Sequence, residues 1–357
     1  MAHSNLGAAR AAKKDEFYTQ WADIEREMHA YLEYDPDVFR GKTILLPCDD
    51  PEWSNFTKFF ALHFADFGIK KLISTSYAPN SNAGGEFYTP TLFDDPQFDQ
   101  ELDRERGKIF TLTPEDVSGD GRVDIDDLRW AYLDGDGDFR SAEVSALRDE
   151  ADMVITNPPF SLLRPFVLWL AEADKRFSFI GNQNAVTYTE IFDEIRAARM
   201  WWGVQNIRWF MNPEGVLVEG ARSRWYTNID HGRRHEPLQL MSTADNLKFS
   251  KHAEVREAGY RTYDNLDAIE VPFTDAIPSD HAGLMGVPIT FLDRFSPEQF
   301  ELIGSYNNGV HGEELGAQKV EVLVSGRPTM WNGPVINGTP VYKRIVIRHR
   351  NPEPKKG

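Results

Sequence analysis

Two short apolar runs on either side of one amphipathic helix constrain this chain more than any other feature. Thr43–Leu46 is an apolar run closed by Pro47, and residues 71–77 form a second strand-like run. Between them residues 55–67 are rich in Phe with helical spacing, and Ser54 stands at their start as an N-cap. Strand, helix and strand at this spacing make a βαβ unit, the beginning of a parallel sheet. After an acidic, turn-rich stretch the alternation resumes. Met153–Thr156, 177–180, 204–210 and 224–229 read as strands, and 162–173 and 189–198 as helices. A further helix is expected over 15–32, after an acidic start.

This pattern predicts an α/β fold: a Rossmann-like, doubly wound and mostly parallel sheet over residues 15–245, interrupted by an insertion at 78–133. From 246 to 357 short β segments broken by Gly and Pro predict a mixed α+β lobe, and residues 1–14 read as a flexible tail without the apolar core of a signal peptide. With 41% hydrophobic and 12% aromatic residues the chain can pack a core. The single cysteine, Cys48, cannot form an intrachain disulfide and fits a reducing cytoplasm. No apolar run approaches the ~20 residues that span a bilayer, so no membrane is expected.

A formal charge of −17 argues against indiscriminate binding of polyanions, yet phosphate contact needs only a local basic face. The chain end offers one. After Lys319 come Arg327, Lys343, Arg344, Arg348, Arg350, Lys355 and Lys356, against Glu321 and Glu353 alone. Lys343, Arg344, Arg348 and Arg350 are the candidate phosphate contacts; a solvated basic tail is the plain alternative.

The tetrapeptide Asn157-Pro158-Pro159-Phe160 follows the strand Met153–Thr156 directly. In an open α/β sheet the ligand crevice lies beyond the carboxyl ends of the strands. Two prolines fix φ and remove two backbone donors, which leaves carbonyls free to accept. An exocyclic amine conjugated with a purine is a poor nucleophile. Asn157 Oδ1 and the Pro158 carbonyl can accept both of its N–H bonds, favour a pyramidal nitrogen and free the lone pair for a sulfonium methyl. Phe160 can stack on the base once it is flipped out of a duplex. A stiff turn closing a strand is the alternative use of the same residues.

The segment 156–162, TNPPFSL, resembles motif IV of amino-methyltransferases, and the chain resembles the EcoRI-type adenine-specific (N6) DNA methyltransferases. Matching blocks run in order from DEFYTQ at Asp15 through CDDP at Cys48 and SNF at Ser54 to GDGDFRS at Gly135. They continue through WYTN at Trp225 and GVPITFL at Gly286 to PEQFELI at Pro297. Residues 78–133 and 213–261 carry little of the resemblance. It implies S-adenosyl-L-methionine as cofactor and duplex DNA as substrate, with base flipping, and leaves open a restriction-modification system with a cognate endonuclease or an orphan enzyme. It also implies a monomer whose C-terminal lobe recognises the target. Residue by residue, it makes Phe17, Tyr18 and Thr19 contacts to the methionine end of the cofactor. Pro47, Cys48, Asp49 and Asp50 stand at motif I without its usual glycines. A cofactor that carries cations and no phosphate tolerates that, and either aspartate suits it. Asp138 and Phe139 match motif III, where the carboxylate takes the cofactor's adenine amine and the ring packs on it. Asn157 also borders the cofactor. The acid usual after the second strand is missing, for Ser74-Thr75-Ser76-Tyr77 stands there.

Asp116, Ser118, Asp120 and Asp127 follow the spacing of a calcium loop, with Asp instead of Glu at the last position. An acidic turn is the plainer reading, and no catalytic metal is expected. Trp201, Trp202, Trp209 and Phe210 are expected to build core, with one of them available as the second face of a base sandwich. Two rival functions remain open. One is a methyltransferase with the same tetrapeptide acting on RNA adenine or protein glutamine. The other is a catalytically inactive DNA-binding relative.

Overall fold

The computed structural model describes residues 18–49, 54–78, 99, 101–211 and 216–354. The expected tail at 1–14, Phe17, Asp50, Lys355 and Lys356 lie outside them. The chain divides into two units: Met1–Gln183 with Trp202–His231, and Asn184–Trp201 with Gly232–Gly357.

The first unit is built on a nine-stranded sheet. Its strands in chain order are β1 (Tyr18–Thr19), β2 (Thr43–Leu46), β3 (Lys71–Thr75), β4 (Lys108–Leu112), β5 (Arg129–Tyr132), β6 (Met153–Thr156), β7 (Arg176–Asn182), β8 (Trp201–Met211) and β9 (Leu217–Thr227). They lie in the order β1-β8-β9-β7-β6-β2-β3-β4-β5. Parallel pairing joins β3, β2, β6 and β7, whereas β4, β5 and β9 pair antiparallel, as β1 does with β8. The sheet is therefore mixed, and the expectation of a mostly parallel one is corrected. Part of the difference comes from 78–133, which read as an irregular insertion: its segments 108–112 and 129–132 are a hairpin added at one edge, and at the other side β9 pairs antiparallel with β7 and β1 with β8.

The four central strands are buried on both faces, and their side chains alternate between two cores. On one face Ile44, Leu46, Leu72, Met153, Ile155 and Ile180 pack with helices α1 (Trp21–Tyr34) and α2 (Asn55–Leu62). Helix α1 buries Ile24, Glu27, Met28 and Tyr31, one stripe at helical spacing, and α2 buries Phe56, Phe59 and Phe60. On the other face Phe179 of β7 meets Phe166 at 5.4 Å and stacks on Tyr226 at 5.5 Å. Phe166 belongs to α4 (Leu163–Ala171), which neighbours α3 (Ala142–Glu150) through the Trp169 indole N–H to Ser145 Oγ, 3.0 Å.

Glu27 is the one charged group of α1 that is fully buried. Its carboxylate accepts from the Tyr31 hydroxyl at 2.8 Å and from the backbone N–H groups of Val204 and Gln205 in β8, the latter at 2.8 Å. A Cβ on Gly203 would collide with its Oε1, so the glycine is what lets helix and strand approach.

The second unit holds helix α5 (Thr189–Arg196), which its place in the sequence would assign to the catalytic part of the chain. An amphipathic helix declares its buried face but not its partner. Here Phe192 lies edge-on to His311 at 6.3 Å, and Thr189 Oγ1 is 3.4 Å from His311 Nε2. The strands of this unit are short: β10 (Ala268–Glu270), β11 (Leu284–Pro288), β12 (Phe300–Tyr306), the hairpin β13 (Val320–Val324) and β14 (Arg327–Trp331), the pair β15 (Val335–Ile336) and β16 (Thr339–Pro340), and β17 (Arg344–His349). β10, β11, β17 and β12 form a four-stranded sheet in that order.

Candidate active site

The parallel strands end at Leu46, Thr75, Thr156 and Asn182, and the loops that leave β2 and β6 are neighbours because those strands pair. Hydroxyl groups tie these ends together around Asp49, which is 3% exposed. Asp49 Oδ1 accepts from Ser54 Oγ at 2.6 Å, and Oδ2 from Thr156 Oγ1 at 2.5 Å. The Asp49 carbonyl accepts from the hydroxyls of Thr57, at 3.0 Å, and of Ser74. Its N–H donates to the Thr75 carbonyl, while Thr75 Oγ1 donates to Pro47 O at 3.0 Å. Ser54 also accepts from the Phe56 N–H, so the N-cap of α2 is part of the same cluster. Cys48, beside it, is half-buried. Burial and then the Asp49 carboxylate raise its thiol well above the ordinary range, so it stays a neutral thiol, suited to packing and not to nucleophilic attack.

Asn157 follows Thr156 half-buried, with Pro158 buried behind it. Phe160 opens a short 3₁₀ turn and packs against the core beneath α1 and α2, edge-on to Phe210 at 6.0 Å. Phe210 is the ladder partner of Thr19, and Tyr18 that of Met211, so β8 links the tetrapeptide to the short edge strand. The Thr19 carbonyl accepts from Asn55 Nδ2 at 2.8 Å, at the start of α2. Thr19 Oγ1 is buried and makes no hydrogen bond among the described residues. Thr19, Asp49, Asn157 and Phe160, from three separate motifs, are thus linked through their neighbours: Asp49 holds Thr156, which precedes Asn157, and Phe210 lies against Phe160 and pairs with Thr19.

The Asp138 loop stands at the end of β3. The Ala78 N–H donates to Asp136 O at 2.8 Å, and Gly137, at φ 81°, lies where a Cβ would run into the Ser76 carbonyl. The Asp138 carboxylate binds Arg140, with Nε at 2.9 Å and the backbone N–H at 2.8 Å. Phe139 is 3% exposed, and its ring packs on Phe166 and Trp169 at 5.3 and 5.5 Å. Its ring is thus core, not an open face for a ligand. Where the acid after β3 is missing, Tyr77 stands 55% exposed.

Other expected residues behave differently. Asp116 accepts from the N–H groups of Gly119 and Gly121, and Asp127 from those of Val117 and Ser118 at 2.7 and 2.8 Å. Asp120 accepts from the Arg122 N–H. The acids pin their own loop, and among the described residues no group of three or more His, Cys, Asp or Glu is placed to hold a metal. Of the aromatics expected in the core, Trp202 and Phe210 are buried but Trp209 is 43% exposed. At the chain end Arg344 is taken by Glu270, at 2.5 Å between largely buried side chains. Lys343 donates to Thr187 Oγ1, Arg350 to Pro297 O, and Arg348 pairs with Glu301 on the surface. Among the described residues no helix is long and apolar enough to cross a membrane.

The hydroxyl shell of Asp49 has no signature in the sequence. Ser54 is legible there only as a cap, Thr156 only as the residue before the tetrapeptide, and Thr57 and Ser74 carry no signal.

Comparison with known proteins gives one family. The model of the EcoRI adenine-specific methyltransferases matches residues 5–350. The Type II methyltransferase M.EcoRI of Escherichia coli is 36% identical, over 97% of this chain and 96% of that protein. M.MpnI of Mycoplasma pneumoniae is 31% identical over 96% of this chain and 97% of its own length. M.MgeORF184P of Mycoplasma genitalium is 30% identical over 96% and 98%. No solved structure matches the chain. The fold and site are those of an α/β enzyme with an amino-methyltransferase tetrapeptide at its strand ends. The chain belongs to the EcoRI-type adenine-specific DNA methyltransferases. This membership does not favour action on RNA or protein glutamine, or an inactive relative.

Proposed function

We propose that this enzyme transfers the methyl group of S-adenosyl-L-methionine to N6 of an adenine flipped out of duplex DNA. The observation that carries the reading is the position of Asn157-Pro158-Pro159-Phe160 at the carboxyl end of β6, beside the β2 loop. The residues present fit the cofactor's chemistry. The buried Thr19 Oγ1 lacks a partner among the described residues, Asp138 is a carboxylate, and neither needs a phosphate. Bound there, the cofactor supplies an electrophilic methyl on a sulfonium. The chain does the rest. Asn157 Oδ1 and the Pro158 carbonyl accept the two N–H bonds of the target amine and direct its lone pair. Phe160 holds the base by its face, which offsets part of the stacking given up in the duplex.

We read the parallel core as Rossmann-like and the second unit as the target-recognition lobe, with Lys343, Arg348 and Arg350 as its phosphate contacts. We read the enzyme as a monomer that acts in the cytoplasm. Single-molecule sequencing of DNA from cells expressing the chain tests the reading. N6-methyladenine at one recurring sequence is the expected result. Unmodified DNA, or methylation on another base, overturns it.

A further inference from the structure

Asp49 is one of the two aspartates expected to suit a cationic ligand, yet both its carboxylate oxygens are engaged by hydroxyls of the protein itself. We propose that Asp49 and Thr156 are positioning residues for Asn157. Ser54 holds one carboxylate oxygen of Asp49, and the other holds Thr156, which fixes the peptide that enters the tetrapeptide. The inference rests on the role given to Asn157 above.

Three observations carry it. The last registered pair of the β2–β6 ladder is Leu45 and Val154, so Thr156 has a ladder partner in β7 but none in β2. The 2.5 Å bond from Thr156 Oγ1 to Asp49 Oδ2 extends the tie to the residue next to Asn157. Both groups are buried, Thr156 at 0% and Asp49 at 3%, where a charge-assisted bond is strong and hard to replace by water. Finally, the carboxylate does not float. Ser54 is fixed by the helix it caps, and the Asp49 main chain is held by Thr57, Ser74 and Thr75. A β-branched threonine has few χ1 choices, so fixing its hydroxyl also fixes its backbone. Displacement of a reacting group by 1 Å lowers rates by about a hundredfold, which is what such a brace prevents.

The test uses the full chain with tritiated cofactor, unmethylated DNA and single-turnover conditions. Thr156→Val removes the hydroxyl and keeps the shape; Thr156→Ser keeps the hydroxyl. Thr156→Val should slow methyl transfer at least tenfold while calorimetric cofactor affinity stays within threefold of wild type. Thr156→Ser should stay within threefold of wild type in rate. A Thr156→Val rate within threefold of wild type overturns the proposal. So does a parallel loss of cofactor affinity, which would make the pair a cofactor contact, or an equal loss in Thr156→Ser, which would make it packing. Asp49→Asn should repeat the Thr156→Val result, but Thr156 decides if that variant does not fold. A wild type without activity on DNA counts against the proposed function, not this inference. Amide exchange of the 157–162 peptide then decides, since it must quicken in Thr156→Val and not in Thr156→Ser; unchanged exchange overturns the brace.

Discussion

Replacing Asn157 by Ala removes one polar group and little volume from a half-buried position after β6. If the amide strengthens its hydrogen bond as the amine becomes pyramidal, the loss falls on the transition state and not on binding. Asn157→Ala should lower the single-turnover rate by about a hundredfold or more, the scale of removing one well-placed polar group. Cofactor affinity by calorimetry and melting temperature should stay near wild type; a folded variant methylating at nearly the wild-type rate would refute the role. Asn157 was legible in the sequence because two prolines and a preceding buried strand mark it from close by. The use made of Asp49 was not. Its partner Thr156 lies 107 positions away, and only the pairing of β2 with β6 brings them together. The packing of Phe139 was hidden for a related reason: a motif match reports which residue is present, not that its ring lies edge-on to Phe166 and Trp169.

Elements were legible where their periodicity is local, and hidden where it is not. β6 was read to the residue, and the central βαβ unit in the right order. Between β3 and β6 the sequence shows turns and acids, and the edge hairpin β4–β5 is hidden among them because edge strands need alternation on one face only. Two devices hold this region, and each can be tested. Gly137 adopts φ 81° against the Ser76 carbonyl, so Gly137→Ala should destabilise the fold by more than about 1 kcal/mol in denaturant unfolding. The loop before β5 depends on Asp127. The backbone N–H of Ser118 first, then those of Asp124 and Val117, hold its carboxyl below the usual range. A depressed folded value means the loop's support is complete above the ordinary carboxylate range, near pH ~4, and is lost as pH falls through the lower folded value. Asp127→Asn at neutral pH should mimic the acid state, with faster amide exchange at Val117, Ser118 and Asp124. Protection unchanged from wild type would mean that the carboxylate is incidental to the loop.

Across the whole molecule the formal charge of −17 sets a problem for any enzyme that must approach a polyanion, and the basic residues of the second unit answer it unequally. In the sequence Lys343, Arg344, Arg348 and Arg350 look alike. In the structure Arg344 faces Glu270 with side chains 14% and 9% exposed, and Tyr263 donates its hydroxyl to the same carboxylate. Arg348 is 48% exposed beside Glu301, a surface pair that salt and a competing phosphate can open. Two different outcomes follow. Arg344→Gln should unfold the second unit more readily, by about 3–5 kcal/mol, because it strands a buried carboxylate. Neutralising Lys343, Arg348 and Arg350 together should leave melting nearly unchanged and weaken binding to all duplex sequences alike. The slope of log affinity against log salt should become shallower by about 0.9 for each phosphate that is no longer neutralised. Fluorescence anisotropy on a labelled duplex at several salt concentrations reads that slope. A slope equal to wild type in the triple variant would place the phosphate-binding residues elsewhere on the chain and leave these three as ordinary surface charge.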